Sequence, residues 1–339
     1  TYKYLVSTVM VTLLIKIGLY AGKLVNFLGP LSLNLLGTIQ TFYYSKESIL
    51  KSSKDRNTEN ERSAGNLRVK PSLVSGSNLL ISKNLQISDH LTKHTKPKKD
   101  EDFGYYLAGL TESSGNFENN VFEINFNLKD ISLAYFIKKQ LGYGSVKKSP
   151  NLNSVRYVLK HSEGLKRLLD LVNGKFLTNR IVNQLFKYNF DNKFNVIILP
   201  AANFNLKQNY WLTGFSESEG AFSIESDPIK FNEDIPNSNF NLKLEFKIKQ
   251  RSIEILKLIK AHFGGNIYYL ESEQFYYYNT TDFKSAKNII DYFDKFQLNS
   301  SKFIKFFKWR KIYRVIQRNE HLTMNGLVKI NKIKGDLRD

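Results

Sequence analysis

The sequence predicts an α+β protein built from two copies of one unit, related by an internal pseudo-twofold axis. Two observations carry this. Thirteen residues are spelled almost twice: YYLAGLTESSGNF from Tyr105 and YWLTGFSESEGAF from Tyr210. The stretches that follow also match in order, FNLKDISLAYFIKKQLGYGSV from Phe126 against FKIKQRSIEILKLIKAHFGGNI from Phe246, then YVLKHSEGLKRLLDLV against YYYNTTDFKSAKNIIDYF. Each copy closes with a basic helix, LTNRIVNQLFKYNF or LNSSKFIKFFKWRKIYRVI. Each copy therefore reads as helix, strand pair, helix, strand pair, helix, and two such units make a pseudo-dimer in one chain.

The elements are taken in chain order. Residues 1–44 form an apolar arm, with a charge-free run from Leu24 to Tyr44 interrupted by Asn26, Pro30, Asn34 and Gln40. It suits a membrane, a protein partner or an exon-derived remnant. Residues 45–100 are polar, charged and poor in aromatics, which reads as a linker with no core of its own. The first folded half spans 103–200 and the second 205–339.

In each motif the apolar residues Tyr106, Leu107 and Leu110, or Trp211, Leu212 and Phe215, recur at helical spacing. Ala108, Gly109, Thr213 and Gly214 lie between them. A stripe of small residues lets two helix backbones approach closely. Gly115 and Gly220 are expected as left-handed C-caps. Just before them stand Ser114 in one copy and Glu219 in the other, near helix C-termini, where negative charge is disfavoured. Such an acid is awkward there unless it holds a cation.

After the second motif Leu242, Leu244, Phe246 and Ile248 alternate with Asn241, Lys243, Glu245 and Lys247, a strand with a core face and an outward face. Counted from Gly115 to Phe126, the first copy's hairpin is fifteen residues shorter. It has room only for a tight turn at Asn119–Asn120. Its outward positions include Glu118 and Glu123, which repel phosphate.

Composition bounds the chemistry. Lys and Arg number 50 against 31 Asp and Glu, a formal charge of +19, which favours a polyanionic partner. There is no Cys, and the five His show no ligand spacing, so any metal would be an oxygen-bound ion such as Mg2+ rather than zinc. The richness in Lys, Asn, Ile, Phe and Tyr fits A/T-rich codons, as in an organellar genome.

LAGLTESSG (Leu107–Gly115) and LTGFSESEG (Leu212–Gly220) resemble the paired signature of the LAGLIDADG homing endonucleases and intron maturases. The tail NEHLTMNGLVKINKIKG, from Asn319, is similar to that of the fungal mitochondrial, monomeric two-motif branch. The resemblance covers roughly 103–339. It implies two αββαββα halves, motif helices at the central interface, and two antiparallel sheets forming a saddle over nucleic acid. It further implies a mitochondrial protein that cuts double-stranded DNA with Mg2+, helps a group I intron RNA to fold, or does both.

Carried over residue by residue, Glu219 matches the catalytic, metal-holding acid, and Gln250 the polar residue beside the metal and its water. Glu112 and Glu217 match an earlier supporting acid. In the first half Ser114 falls where the acid belongs and Asp130 where Gln250 does. A neutral hydroxyl is a poor ligand for a hard cation. The expectation is therefore a cleavage-impaired protein that prefers structured RNA, as a maturase or ribonucleoprotein component. The alternatives are a Mg2+-dependent endonuclease or nickase on duplex DNA, and a non-catalytic subunit of a large assembly. Nucleic-acid contacts are expected from Asn241, Lys243, Lys247, Lys129 and Lys147, and from the basic helix residues Lys305, Lys308, Arg310 and Lys311.

Overall fold

The computed structural model describes residues 85–149, 153–226 and 242–338. The apolar arm, most of the linker and Asn241 lie outside the described residues.

Each copy of the repeat folds as its pattern predicts. The first runs α1 (Asp100–Ser114), β1 (Gly115–Glu118), β2 (Val121–Asn127), α2 (Ile131–Leu141), β3 (Ser145–Lys148), β4 (Ser154–Leu159) and α3 (Ser162–Val172), followed by α4 (Asn179–Lys187) and α5 (Phe190–Phe194). The second runs α6 (Trp211–Glu219), β5 (Gly220–Ser226), β6 (Leu242–Gln250), α7 (Glu254–Phe263), β7 (Asn266–Leu270), β8 (Phe275–Asn279) and α8 (Phe283–Lys295), then α9 (Lys302–Gln317) and α10 (Met324–Arg338). Two four-stranded antiparallel sheets result, in the equivalent orders β1-β2-β4-β3 and β5-β6-β8-β7.

Helices α1 and α6 pack backbone to backbone. A Cβ added to Gly109 would fall 2.0 Å from the Trp211 carbonyl oxygen, and one added to Gly214 would fall 1.9 Å from that of Tyr106. The two crossings are mirror statements of one contact, which is what a pseudo-twofold axis through the helix pair requires. Tyr106, Leu107, Leu110, Trp211, Leu212 and Phe215 are all buried around it.

Gly115 and Gly220 correct an expectation. Both are extended, with φ −84° and −74°, so neither is a left-handed cap. Glycine is needed there for space, because a Cβ would meet the Thr111 Cα at 2.7 Å or the Ser216 Cβ at 2.9 Å. The helix runs straight into the strand without a left-handed residue.

The short hairpin turns at Asn119 and Asn120, both at positive φ (43° and 63°), with Glu118 opposite Val121. Successive left-handed residues suit a two-residue hairpin loop, and Asn tolerates that region better than most residues.

Residues 85–99, which composition assigns to the linker, instead lie along the second half. The Ile87 N–H donates to Gln317 Oε1 (2.8 Å), the Tyr313 hydroxyl to the Leu85 carbonyl (2.7 Å), and the Thr95 N–H to Gln297 Oε1 (2.7 Å). Ile87 is buried. The strap is polar because hydrogen bonds and the ion pair of Asp89 with Arg314 hold it, with Ile87 and Pro97 buried. It then enters α1 of the first half. Among the described residues no helix is long and apolar enough to cross a membrane.

Candidate nuclease site and nucleic-acid interface

The earlier acid of each motif is a structural residue. Glu112 accepts from the Leu177 N–H (2.7 Å), the Thr178 N–H (2.8 Å) and the Thr178 hydroxyl (2.7 Å), and from Trp211 Nε1 of the opposite motif (3.1 Å). Glu217 accepts from the Asn299 N–H (2.6 Å) and the Ser300 N–H (3.3 Å), and from the Tyr106 hydroxyl of the opposite motif (3.1 Å). Each carboxylate thus supplies the acceptor that the start of the basic helix lacks, and each is also tied across the interface. Burial raises both carboxyls above the usual range, against the pull of these donors.

The end of each motif helix is held by a cation. Lys302 Nζ donates to the carbonyls of Ser216 (3.1 Å) and Ser218 (2.5 Å), and Arg180 donates to those of Thr111 (3.0 Å) and Glu112 (2.7 Å). Positive charge at a helix C-terminus offsets the negative end of its dipole. Burial lowers the Lys302 ammonium to about 8, although Glu217, Glu219 and Asp130 all pull it upward. Neither Lys302 nor Arg180 stands out in the sequence from the other cations of the two basic helices. The signal that could have found them is a basic residue at the same place in both copies, two positions beyond the residues held by Glu112 and Glu217.

Glu219 stands at the foot of this arrangement, half-buried at the end of α6. Burial raises its carboxyl. Lys302, the Ser218 hydroxyl, the Gln250 side chain and Arg180 each favour the charged form. The structure therefore brings Glu219 and Gln250 together. It also lets Arg180, from the first half, reach the field of an acid in the second. Oxygen donors of this kind suit one hard divalent ion whose remaining ligands are water and phosphate. No group of three or more His, Cys, Asp or Glu gathers to hold a metal among the described residues.

The first half offers no counterpart. The Ser114 hydroxyl turns back on its own helix, towards the Leu110 carbonyl (3.4 Å). Strand register corrects the assignment of Asp130. Phe117 faces Phe122 as Phe222 faces Phe246, and Ile124 faces Tyr157 as Ile248 faces Tyr278. Two residues further along each strand, the position of Gln250 is held by Phe126, which packs against the core. Asp130 is buried beyond the strand and accepts from the Ser301 N–H (2.7 Å), capping α9 across the two halves. The same register takes the first hairpin from Gly115 only to Phe122, so it is shorter still than the sequence count from Phe126 suggested.

The expected nucleic-acid contacts divide. Lys243, Lys129, Lys147 and Lys311 are exposed. Lys247 is on the outward face of β6 but is engaged by Glu225 (3.2 Å) and Glu245 (2.6 Å). Glu245 is itself buried beneath that lysine. Glu123 is partnered by Arg156 (3.2 Å), which offsets part of the acidity expected of the first sheet. Lys305 is half-buried and donates to the Leu337 carbonyl (3.1 Å), and Lys308 is also half-buried. Arg310 cannot serve as expected. It is 1 % exposed, pairs with Asp294 (2.9 Å), and donates to the Ser88 carbonyl of the strap (2.8 Å). It is an internal clamp.

The profile of a family described as LAGLIDADG endonuclease matches residues 212–313. An "uncharacterized cox1 intron-2 37.2 kDa protein" of Schizosaccharomyces pombe is 41% identical over 276 residues, covering 80% of this chain and 83% of that protein. The "intron-encoded RNA maturase bI4" of Saccharomyces cerevisiae is 26% identical, over 60% of this chain and 31% of its own length. Among solved structures, the I-SmaMI protein bound to an uncleaved DNA target with calcium ions superposes with a TM-score of 0.53, at 21% identity, over 70% of this chain and 99% of its own.

Proposed function

The chain belongs to the LAGLIDADG family of intron-encoded endonucleases and maturases, and from there we propose that it binds structured RNA and has lost double-strand cleavage. Relatives encoded in fungal cox1 and similar introns put it in the mitochondrion. The observation that carries the loss is the pairing of Ser114 with Phe126. Duplex cleavage by this architecture needs a metal-holding acid and a polar partner facing each strand. The first half has a hydroxyl spent on its own helix and an apolar ring in the second place. The maturase relative favours RNA as the partner.

A second reading rests on the other half. Glu219 and Gln250 remain together, so with Mg2+ supplying a Lewis acid and a bound water, this half keeps the groups to cut one strand. The test is a supercoiled plasmid library carrying intronless fungal cox1 exon junctions, incubated with Mg2+. The expected product is uncut plasmid or nicked circles that vanish in Glu219→Gln. Efficient linearisation by the unmodified protein, abolished by Glu219→Gln, would overturn the loss of double-strand cleavage. In parallel, crosslinking the native protein in mitochondria should recover intron or ribonucleoprotein RNA. Recovery of exon-junction DNA alone would overturn the preference for RNA.

A further inference from the structure

The two sheets are alike in topology but differ on the faces turned away from the helices. In the second sheet Lys249 pairs with Tyr277, Tyr277 with Tyr268, and Phe275 with Leu270. Paired residues in an antiparallel ladder share a face. This is the outer face, because the alternate row of Ile248, Tyr278 and Ile267 packs on the core. At the positions of Lys249, Tyr277 and Tyr268 the first sheet carries Asn125, Arg156 and Lys147. One sheet therefore presents a basic row where the other presents rings.

Those rings are ordered, with Tyr268 exposed and Tyr277 and Phe275 half-buried. Tyr268 and Tyr277 stack with centroids 5.4 Å apart and planes 12° from parallel. Lys249 Nζ lies 4.2 Å over the Phe275 ring, and the Arg251 guanidinium lies 5.4 Å from it. Tyr268 is 42% exposed and Leu270 36%, although side chains of this size gain most by burial. Glu273 holds both Lys249 and the Tyr277 hydroxyl, which fixes the row in place.

We propose that this outer face of β7 and β8 is a stacking platform for unpaired bases of a single-stranded RNA loop, with Arg251 beside it for phosphate. The inference rests on the RNA reading above and specifies which part of an RNA is taken. Bases in a duplex are already stacked and offer only their groove edges, which a ring face cannot read. Splayed bases of a loop offer their faces, and aromatic side chains on a sheet accept them with little regard to sequence. The basic row of the first sheet suits the backbone of an adjoining stem.

The test uses the full chain and three labelled probes: an RNA hairpin with a uridine loop, the same stem as a blunt RNA duplex, and a DNA duplex of equal length. The unmodified protein should prefer the loop. Tyr268→Ala combined with Tyr277→Ala should weaken loop binding by about ten-fold or more and leave both duplexes within about two-fold. Tyr268→Phe should bind as the unmodified protein does, since the ring and not the hydroxyl is used. Loop binding undiminished in the alanine variant, or lost equally for all probes, overturns the platform while leaving RNA binding standing. Preference of the unmodified protein for the DNA duplex overturns the RNA reading itself. Should the alanine variant fail to fold, photocrosslinking of a 5-iodouridine loop to the unmodified protein decides. An adduct on Tyr268 or Tyr277 supports the platform, and adducts only elsewhere overturn it.

Discussion

Replacing Gly214 by alanine, or Gly109 by alanine, should destabilise the protein far more than a methyl group ordinarily does. The new Cβ would sit 1.9 or 2.0 Å from a backbone carbonyl oxygen of the opposite helix, where contacts below 3.0 Å are essentially never seen. That oxygen belongs to the backbone and cannot swing aside, so the helices must separate by about 1 Å. A gap of that size forfeits roughly a quarter to a half of the attraction between facing atoms. Tyr106, Leu107, Leu110, Trp211, Leu212 and Phe215 all ride on those backbones, each at most 1% exposed. The two cross-helix hydrogen bonds, Tyr106 to Glu217 and Trp211 to Glu112, are already 3.1 Å long and would stretch out of range. Overpacking of this kind costs about 1–3 kcal/mol, and a weakened bond to a buried carboxylate about 1–2 kcal/mol more. Alanine returns roughly 1 kcal/mol through helix propensity. The net loss is about 1–4 kcal/mol per site, out of a typical total of about 5–15 kcal/mol. Urea denaturation should show a lower midpoint with an unchanged slope. Gly335→Ala is the internal control: it lies in α10, is exposed, and has nothing within 4 Å of a new Cβ, so it should gain about 0.5–1 kcal/mol. Stability of Gly214→Ala at or above that of the unmodified protein would refute the close crossing.

Lys302→Met should alter the pH dependence of stability. Burial lowers the lysine in the fold to about 8 from 10.5, so the unfolded chain keeps its proton longer. Below pH 8 both states are protonated and the cost of burial is fully present; between 8 and 10.5 the unfolded state binds more protons and stability rises. The difference between the unmodified protein and Lys302→Met should move in favour of the former across that window, and a flat difference would exclude the buried lysine. Arg310→Met should cost about 3–5 kcal/mol, because Asp294 is left partly buried and unpaired, and it should expose the strap near Ser88 to proteases. Per folded molecule its RNA affinity should not change; a fall in affinity without a fall in stability would return Arg310 to the binding surface. Ser114→Glu alone should not restore linearisation of a plasmid, because Phe126 and the short hairpin remain, and linear product from that single change would show that only the acid was missing.

The repeat, the order of its elements and the helix pair were legible because each has a local signature. Helical spacing and small residues marked the crossing, alternation marked β6, and Asn119–Asn120 marked the turn. The pairing of Glu219 with Gln250 followed from the family resemblance and from no local pattern of its own. Other features depended on contacts between distant segments. The counterpart of Gln250 was misplaced by four residues, and pleating explains why: a slip by an even number keeps every side chain on its own face. Only the pairing with β1 and β4 distinguishes FEINF at Phe122 from the later Phe126 as the partner of FKIKQ. Arg310 reads as one more cation on a basic helix until the strap, more than two hundred residues earlier in the chain, is laid against it. Lys302 and Arg180 look like ordinary surface charges until the opposite end of a motif helix arrives beside them. In each case the local pattern sets which face a residue takes, while its partner, and hence its role, comes from segments that only folding brings together.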